Sequence, residues 1–345
     1  MEGVKVPVSR RDPAVDWLKT AAIFGVMVIH VSAGGLAAPF GSADWVWSLF
    51  WDCAFRGSVP LFLMCSGALL LSPERDLPLR KLYTKNLLRL LAALLVWAMA
   101  YKLVGLVQAG GLTASAVLQA GKEVVVFRHE SHLYYLHIML LVYAFLPLTR
   151  LVVRDRTAAR YALALWALLG ILYPTVKPYW PFTLLRGIPV QWMMNMAYAA
   201  IGYTILGHLL RRHPPKKVYS VIALLAGLAL TFAGTLVGSL GAGKLYEHWM
   251  EGMSLGPCLL AAGVYGLGVS LVRKPCVVAE QISRASFCVF LVHIFFLHFF
   301  ADKGVTALAG PAAVTVPLLS LVLLACGCGV YALLRQIPVV RSWLI

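Results

Sequence analysis

A histidine at the end of an unbroken apolar run needs a chemical reason. His30 follows Ala21–Ile29, nine residues with no polar side chain among them. A neutral imidazole can take a proton from a hydroxyl near physiological pH, which makes His30 a candidate general base; the alternative is a packing histidine hydrogen-bonded across helices. Asp16 and Lys19 precede it, three apart and therefore on one helical face. They read either as part of an anion-handling site or as an interfacial ion pair that reaches back to the lipid surface. His30 stands 14 residues beyond Asp16, about 21 Å along a helix at ~1.5 Å per residue. Arg56, Ser66 and Gly67 follow in the next apolar block, and Lys81, Lys85 and Arg89 lead into the third. Arg56 can donate to a carbonyl oxygen or anchor the chain at the outer interface, and Arg89 can pair with phosphate or with headgroups. Further along lie His132, Tyr134, Tyr135 and His137, then Glu247, His248 and Glu251, then His293 and His298. The last two are five apart, hence on different faces of a helix, and one of them can face inward.

The elements that must position these residues follow from composition. Of 345 residues, 61% are hydrophobic and 13% charged, against roughly half and a quarter in soluble domains. The apolar residues fall in blocks of about 20, enough to cross ~30 Å of hydrocarbon. At that depth every backbone group must be paired within its own segment, so the fold is all-α, a polytopic helical bundle. The blocks are too long and too uniformly apolar for barrel strands. Ten spans are predicted: Val15–Leu36, Trp45–Leu71, Leu82–Val107, His132–Val153, Tyr161–Tyr173, Val190–Leu210, Val218–Leu240, Leu255–Val272, Ala285–Phe300 and Val314–Leu334. Residues 1–345 are then a single membrane domain with no soluble domain and no obvious internal repeat.

The net charge of +16 is not a nucleic-acid signal, because Lys and Arg sit in short clusters between apolar blocks. With the N-terminus inside, 20 of the 30 fall in inner segments and 6 in outer ones. The 6 are Lys122, Arg128, Lys177, Arg186, Lys244 and Lys303, and the inner set includes Lys5, Arg10 and Arg75. That alternation predicts both termini in the cytoplasm and a multi-pass protein of the cell (inner) membrane. The N-terminal run is too long for a cleavable signal peptide. Seven cysteines, mostly in apolar blocks and without a C-x-x-C pair, indicate helix packing and neither a disulfide framework nor a metal site.

Several segments together resemble the membrane acyltransferase 3 family. Asp16-Trp17-Leu18-Lys19, an apolar run and Val28-Ile29-His30 resemble the family's opening span, with Lys19 where an arginine is usual. Arg56-Gly57-Ser58-Val59-Pro60-Leu61-Phe62 and Ser66-Gly67 resemble its second-span elements. Lys81, Lys85, Asn86 and Arg89 are similar to its basic entry into the third span, without the proline that commonly follows the arginine. His132-Leu133-Tyr134-Tyr135 with Tyr143 and Pro147 is similar to the subgroup containing the enterobacterial-common-antigen O-acetyltransferase. Ile282-Ser283, Ser286-Phe287 and Phe290-Leu291-Val292-His293 resemble the penultimate span.

The resemblance implies transfer of an acyl group, usually acetyl, from cytoplasmic acyl-CoA as co-substrate to a hydroxyl of a glycan or lipid-linked acceptor. On that reading His30, Arg56 and Ser66 are catalytic. Asp16, Lys19, Lys81, Lys85 and Arg89 form the CoA site, since polyanionic CoA would arrive where these cations cluster. His132, Tyr135, Glu247 and His293 bind substrate, and no metal is needed. The competing class is a transporter or flippase for a glycan or small metabolite, which ten helices with buried charges also suit; a purely structural membrane subunit is a third.

Overall fold

The computed structural model describes residues 11–73, 77–185 and 187–345; Lys5, Arg10, Arg75 and Arg186 of the charge count lie outside them. The chain is 78% helical, and the described residues contain no strand. Among the described residues, nine helices are long and apolar enough to cross a membrane. Helix α1 (Pro13–Gly35) begins at Asp12, whose side chain accepts from Ala14 N, with Pro13 filling the first helical position where an amide donor is not needed. The second span, Ala43–Leu70, is two helices, α2 (Ala43–Phe55) and α3 (Ser58–Leu70), joined at Arg56-Gly57. Then come α4 (Leu79–Gln108, with a π turn at Leu82–Leu87), α5 (Ala114–Val125), α6 (Ser131–Val152) and α7 (Arg156–Val176). The second half holds α8 (Met196–Arg212), α9 (Lys217–Ala242), α10 (Leu255–Leu271), α11 (Val277–Asp302) and α12 (Ala312–Leu334).

The sixth expected span, Val190–Leu210, corresponds to α8 and is the one of the ten not among those nine. Its 17 residues are at the short limit for crossing ~30 Å, and it packs against α3, α6, α7 and α10. Helix α5 was not anticipated. Gly110, with a φ of +64°, turns the chain after α4, and Lys102 ties α4 to Glu123 of α5 at 2.5 Å.

Helix α1 is the axis of the bundle. Its C-terminal half joins the core of α4, α11 and α12 through Ile23, Met27 and Val31. Its first turns join a second core with α3, α6, α8 and α10 through Val15, Leu18 and Ala22. Small residues let the neighbours approach, as packing in lipid requires. A Cβ on Gly25 would lie 2.1 Å from Ser58 Oγ and 2.7 Å from Phe55 Cδ1, so any larger residue at this crossing would have to displace both side chains. A Cβ on Gly67 would lie 1.9 Å from the Thr204 carbonyl oxygen, so the Ser-Gly element is where α3 and α8 meet backbone to backbone. Each expected span thus meets a helix, and the register between helices is set by such close contacts.

Candidate active site

Three spans bring three histidines together. The His30 ring of α1 lies 4.9 Å from that of His293 on α11 and 6.4 Å from that of His132 on α6, and the latter two are 5.4 Å apart. His293 is wholly buried, whereas His298, one and a half turns on, is exposed. His293 Nδ1 sits 2.7 Å from the Phe290 carbonyl oxygen. A carbonyl only accepts, so the neutral ring carries its proton on Nδ1 and presents a lone pair at Nε2. That Nε2 and His132 Nε2 are buried with no hydrogen-bond partner among the described residues. Tyr101 closes the cluster: its hydroxyl donates to the Leu291 carbonyl at 2.8 Å, and its ring lies 5.1 Å from His132 and stacks on Phe295 at 3.8 Å. His137 does not join; it pairs with His129, Nε2 to Nε2, at 2.9 Å.

His30 and His132 open into a cavity of about 160 Å³ that Arg56, Tyr134, Tyr203 and Met253 also line. Arg56 reaches it because the second span breaks there. This places it 13 residues into Ala43–Leu70, near the middle of the span. Its counterion is Asp52, one turn back and fully buried, with Nε 2.7 Å from Oδ1 and Nη2 2.8 Å from Oδ2. Asp52 was not singled out from the sequence, although the four-residue spacing to Arg56 is visible there. The two contacts use one edge of the guanidinium and leave the Nη1 edge to donate into the cavity.

A second cavity, of about 410 Å³, lies towards the basic ends of the helices. Lys19, Ser66, Asn86, Arg89, Tyr143 and Ser286 are in its wall. Lys19 Nζ donates to the Ser283 carbonyl at 3.0 Å, and Arg89 donates to the Ile345 carbonyl. The π turn Leu82–Leu87 precedes Arg89 and brings Asn86 into the same wall. Ser66 opens here and not into the histidine cavity; its hydroxyl donates to the Phe62 carbonyl at 3.0 Å. The remaining expected residues stand apart from both walls. Asp16 is held by Arg11, with Nη2 to Oδ1 at 2.5 Å and Nε to Oδ2 at 3.0 Å, and does not pair directly with Lys19. Lys81 and Lys85 are exposed beside the basic cavity, and Glu247 is exposed in the 3-10 turn Glu247–Met250. Tyr135 and Phe290 are in the walls of both cavities, their rings edge to face at 5.3 Å. No group of three or more His, Cys, Asp or Glu that could hold a metal ion occurs among the described residues.

Three imidazoles from three helices thus meet beside the smaller cavity, and two of their buried nitrogens are unpartnered among the described residues. The model of a family described as an acyltransferase domain matches residues 12–333, nearly the whole chain, and the protein belongs to that acyltransferase 3 family. It is a multi-pass membrane acyltransferase, and the transporter alternative is not favoured. No curated protein and no solved structure matches the chain.

Proposed function

We propose that the protein moves a short acyl group, acetyl in the first instance, from cytoplasmic acyl-CoA to a hydroxyl of a glycan or lipid-linked acceptor, with His30 as general base. The observation that carries this reading is the position of His30. It lines the outer cavity beside Arg56, and that cavity and the Lys19–Arg89 cavity share the Tyr135–Phe290 contact. In the reaction the acceptor hydroxyl gives its proton to His30 as its oxygen attacks the thioester carbonyl. The developing oxyanion takes donors from the free edge of Arg56. The carbon–sulfur bond breaks, an ester bond forms, and the proton passes from His30 to the departing CoA thiolate.

Lys19 and Arg89 supply positive charge for CoA phosphates in the basic cavity, with Lys81 and Lys85 at its approach. The cytoplasmic orientation of these ends and residence in the cell membrane follow the charge asymmetry. The resemblance to the enterobacterial-common-antigen subgroup makes a glycan hydroxyl the first acceptor to try.

Purified protein given acetyl-CoA labelled in the acetyl group tests the reading. The wild type should release CoA and label an added glycan or lipid-linked sugar. His30→Gln should fold, bind CoA and lose about 10²–10⁴ in rate, the usual worth of a positioned general base. An equally active His30→Gln removes His30 from the chemistry.

A further inference from the structure

Among the described residues, Tyr135 and Phe290 alone are common to the walls of the two cavities. Tyr135 is on α6 and Phe290 on α11, and their rings meet edge to face. Phe62 of α3 lies against the other side of Tyr135, with ring centroids 6.2 Å apart. The Phe290 carbonyl accepts from Nδ1 of the wholly buried His293, one turn on in the same helix. Resting on the acyl-CoA reading above, we propose that these two rings form the septum through which the thioester reaches His30, and that they confine the transferred acyl group to short chains.

A donor bound near Lys19 and Arg89 must bring its carbonyl to the histidine side, and the ring contact stands where the two spaces adjoin. An edge-to-face aromatic pair admits a flat thioester carrying a methyl group when one ring turns. A longer chain must displace both rings, and the space beyond is small. The outer cavity of about 160 Å³ also has to receive the acceptor hydroxyl. One surplus methylene in a close-fitting apolar pocket changes selectivity by about 10–200-fold. Butyryl, with two more than acetyl, should therefore transfer at least ~10-fold less efficiently in the wild type. Truncating either ring should remove that discrimination while leaving Lys19, Arg89 and His30 in place.

The test is a donor series of acetyl-, butyryl- and hexanoyl-CoA, each read as kcat/KM for release of CoA in the presence of acceptor. The expected result is a steep fall with length in the wild type and a butyryl-to-acetyl ratio raised at least ~10-fold in Phe290→Ala and Tyr135→Ala. Phe290→Leu should give an intermediate ratio, and it serves where the alanine variant unfolds. Calorimetric binding of CoA itself should persist in every folded variant, since Lys19 and Arg89 remain in the cavity wall. A wild type that transfers acetyl, with variants that keep its length profile, overturns the septum and spares the acyl-CoA reading. A wild type that consumes no acyl-CoA overturns both.

Discussion

Replacing Asp52 by alanine leaves the Arg56 guanidinium halfway along a membrane span with no carboxylate beside it. The two contacts, at 2.7 and 2.8 Å, are the counter-charge that the structure gives this cation in its own helix, and Asp52 has no exposed surface. Arg56 is 13 residues from the start of Ala43–Leu70, about 20 Å along the axis, so it has little chance of reaching headgroups by stretching. Breaking a buried pair by removing one member costs about 3–5 kcal/mol. The Arg56 side chain is 27% exposed, towards its cavity, and water there should hold the loss near the lower figure, about 3 kcal/mol. Removing both members is a different perturbation, because an apolar pair of similar volume is often neutral in such a place. Asp52→Leu combined with Arg56→Leu should therefore unfold within about 1 kcal/mol of the wild type and still fail to transfer acyl groups, since the donor edge is gone. Reversible unfolding in detergent micelles and CoA release, measured on the two single variants and the double, read the two effects apart. An Asp52→Ala protein as stable as the wild type would show that the pair is not the support described. A double variant with full activity would remove Arg56 from the chemistry.

Other consequences concern the shell around the histidines and the helix contacts. His293→Gln should keep a donor for the Phe290 carbonyl but lose the bare nitrogen; kcat should fall with KM for acyl-CoA unchanged, and the pH profile of transfer should shift, whereas a packing role alone would leave that profile where it was. Gly67→Val should force α3 from the Thr204 carbonyl, destabilise by about 1–3 kcal/mol as overpacking does, and weaken CoA binding through displaced Ser66; an unchanged melting temperature would argue against the close contact. The Glu123 carboxyl is held below its ordinary value of 4.5 chiefly by the hydrogen bond from Lys102, then by Gln119. Its contribution to the α4–α5 hairpin should be complete above pH 4.5 and lost as pH falls through the lowered native value. Amide exchange in α5 should accelerate over that range, and Glu123→Gln should remove the pH dependence.

The spans were legible because lipid imposes one rule on the whole chain: an apolar run of sufficient length must be a helix. The interruptions obey no such rule. The break at Arg56-Gly57 lies inside a span whose average hydropathy is high enough to read as one helix, and α5 is too short and polar to register as a span. The π turn at Leu82–Leu87 has no compositional mark. Rotation of one helix about its axis relative to the next is likewise absent from hydropathy, and the meeting of His30, His132 and His293 depends on it. The family resemblance, through matching residues in several spans, supplied part of that missing information.

Charge inside a span was the sequence's guide to function, and the structure refines it. Asp16 is bound to Arg11, Lys19 to the Ser283 carbonyl, Arg56 to Asp52, Arg89 to the Ile345 carbonyl and Lys102 to Glu123. Each of those costly groups has a partner that explains how it is tolerated. His132 Nε2 and His293 Nε2 have none, yet burying a polar atom without a hydrogen bond is itself costly. Two such atoms on different helices, within a ring's width of a third imidazole that opens into a cavity, are hard to attribute to packing. On the proposed mechanism a substrate hydroxyl and its proton would supply the missing hydrogen bonds, which makes these two imidazole nitrogens the first atoms at which to test for the reaction centre.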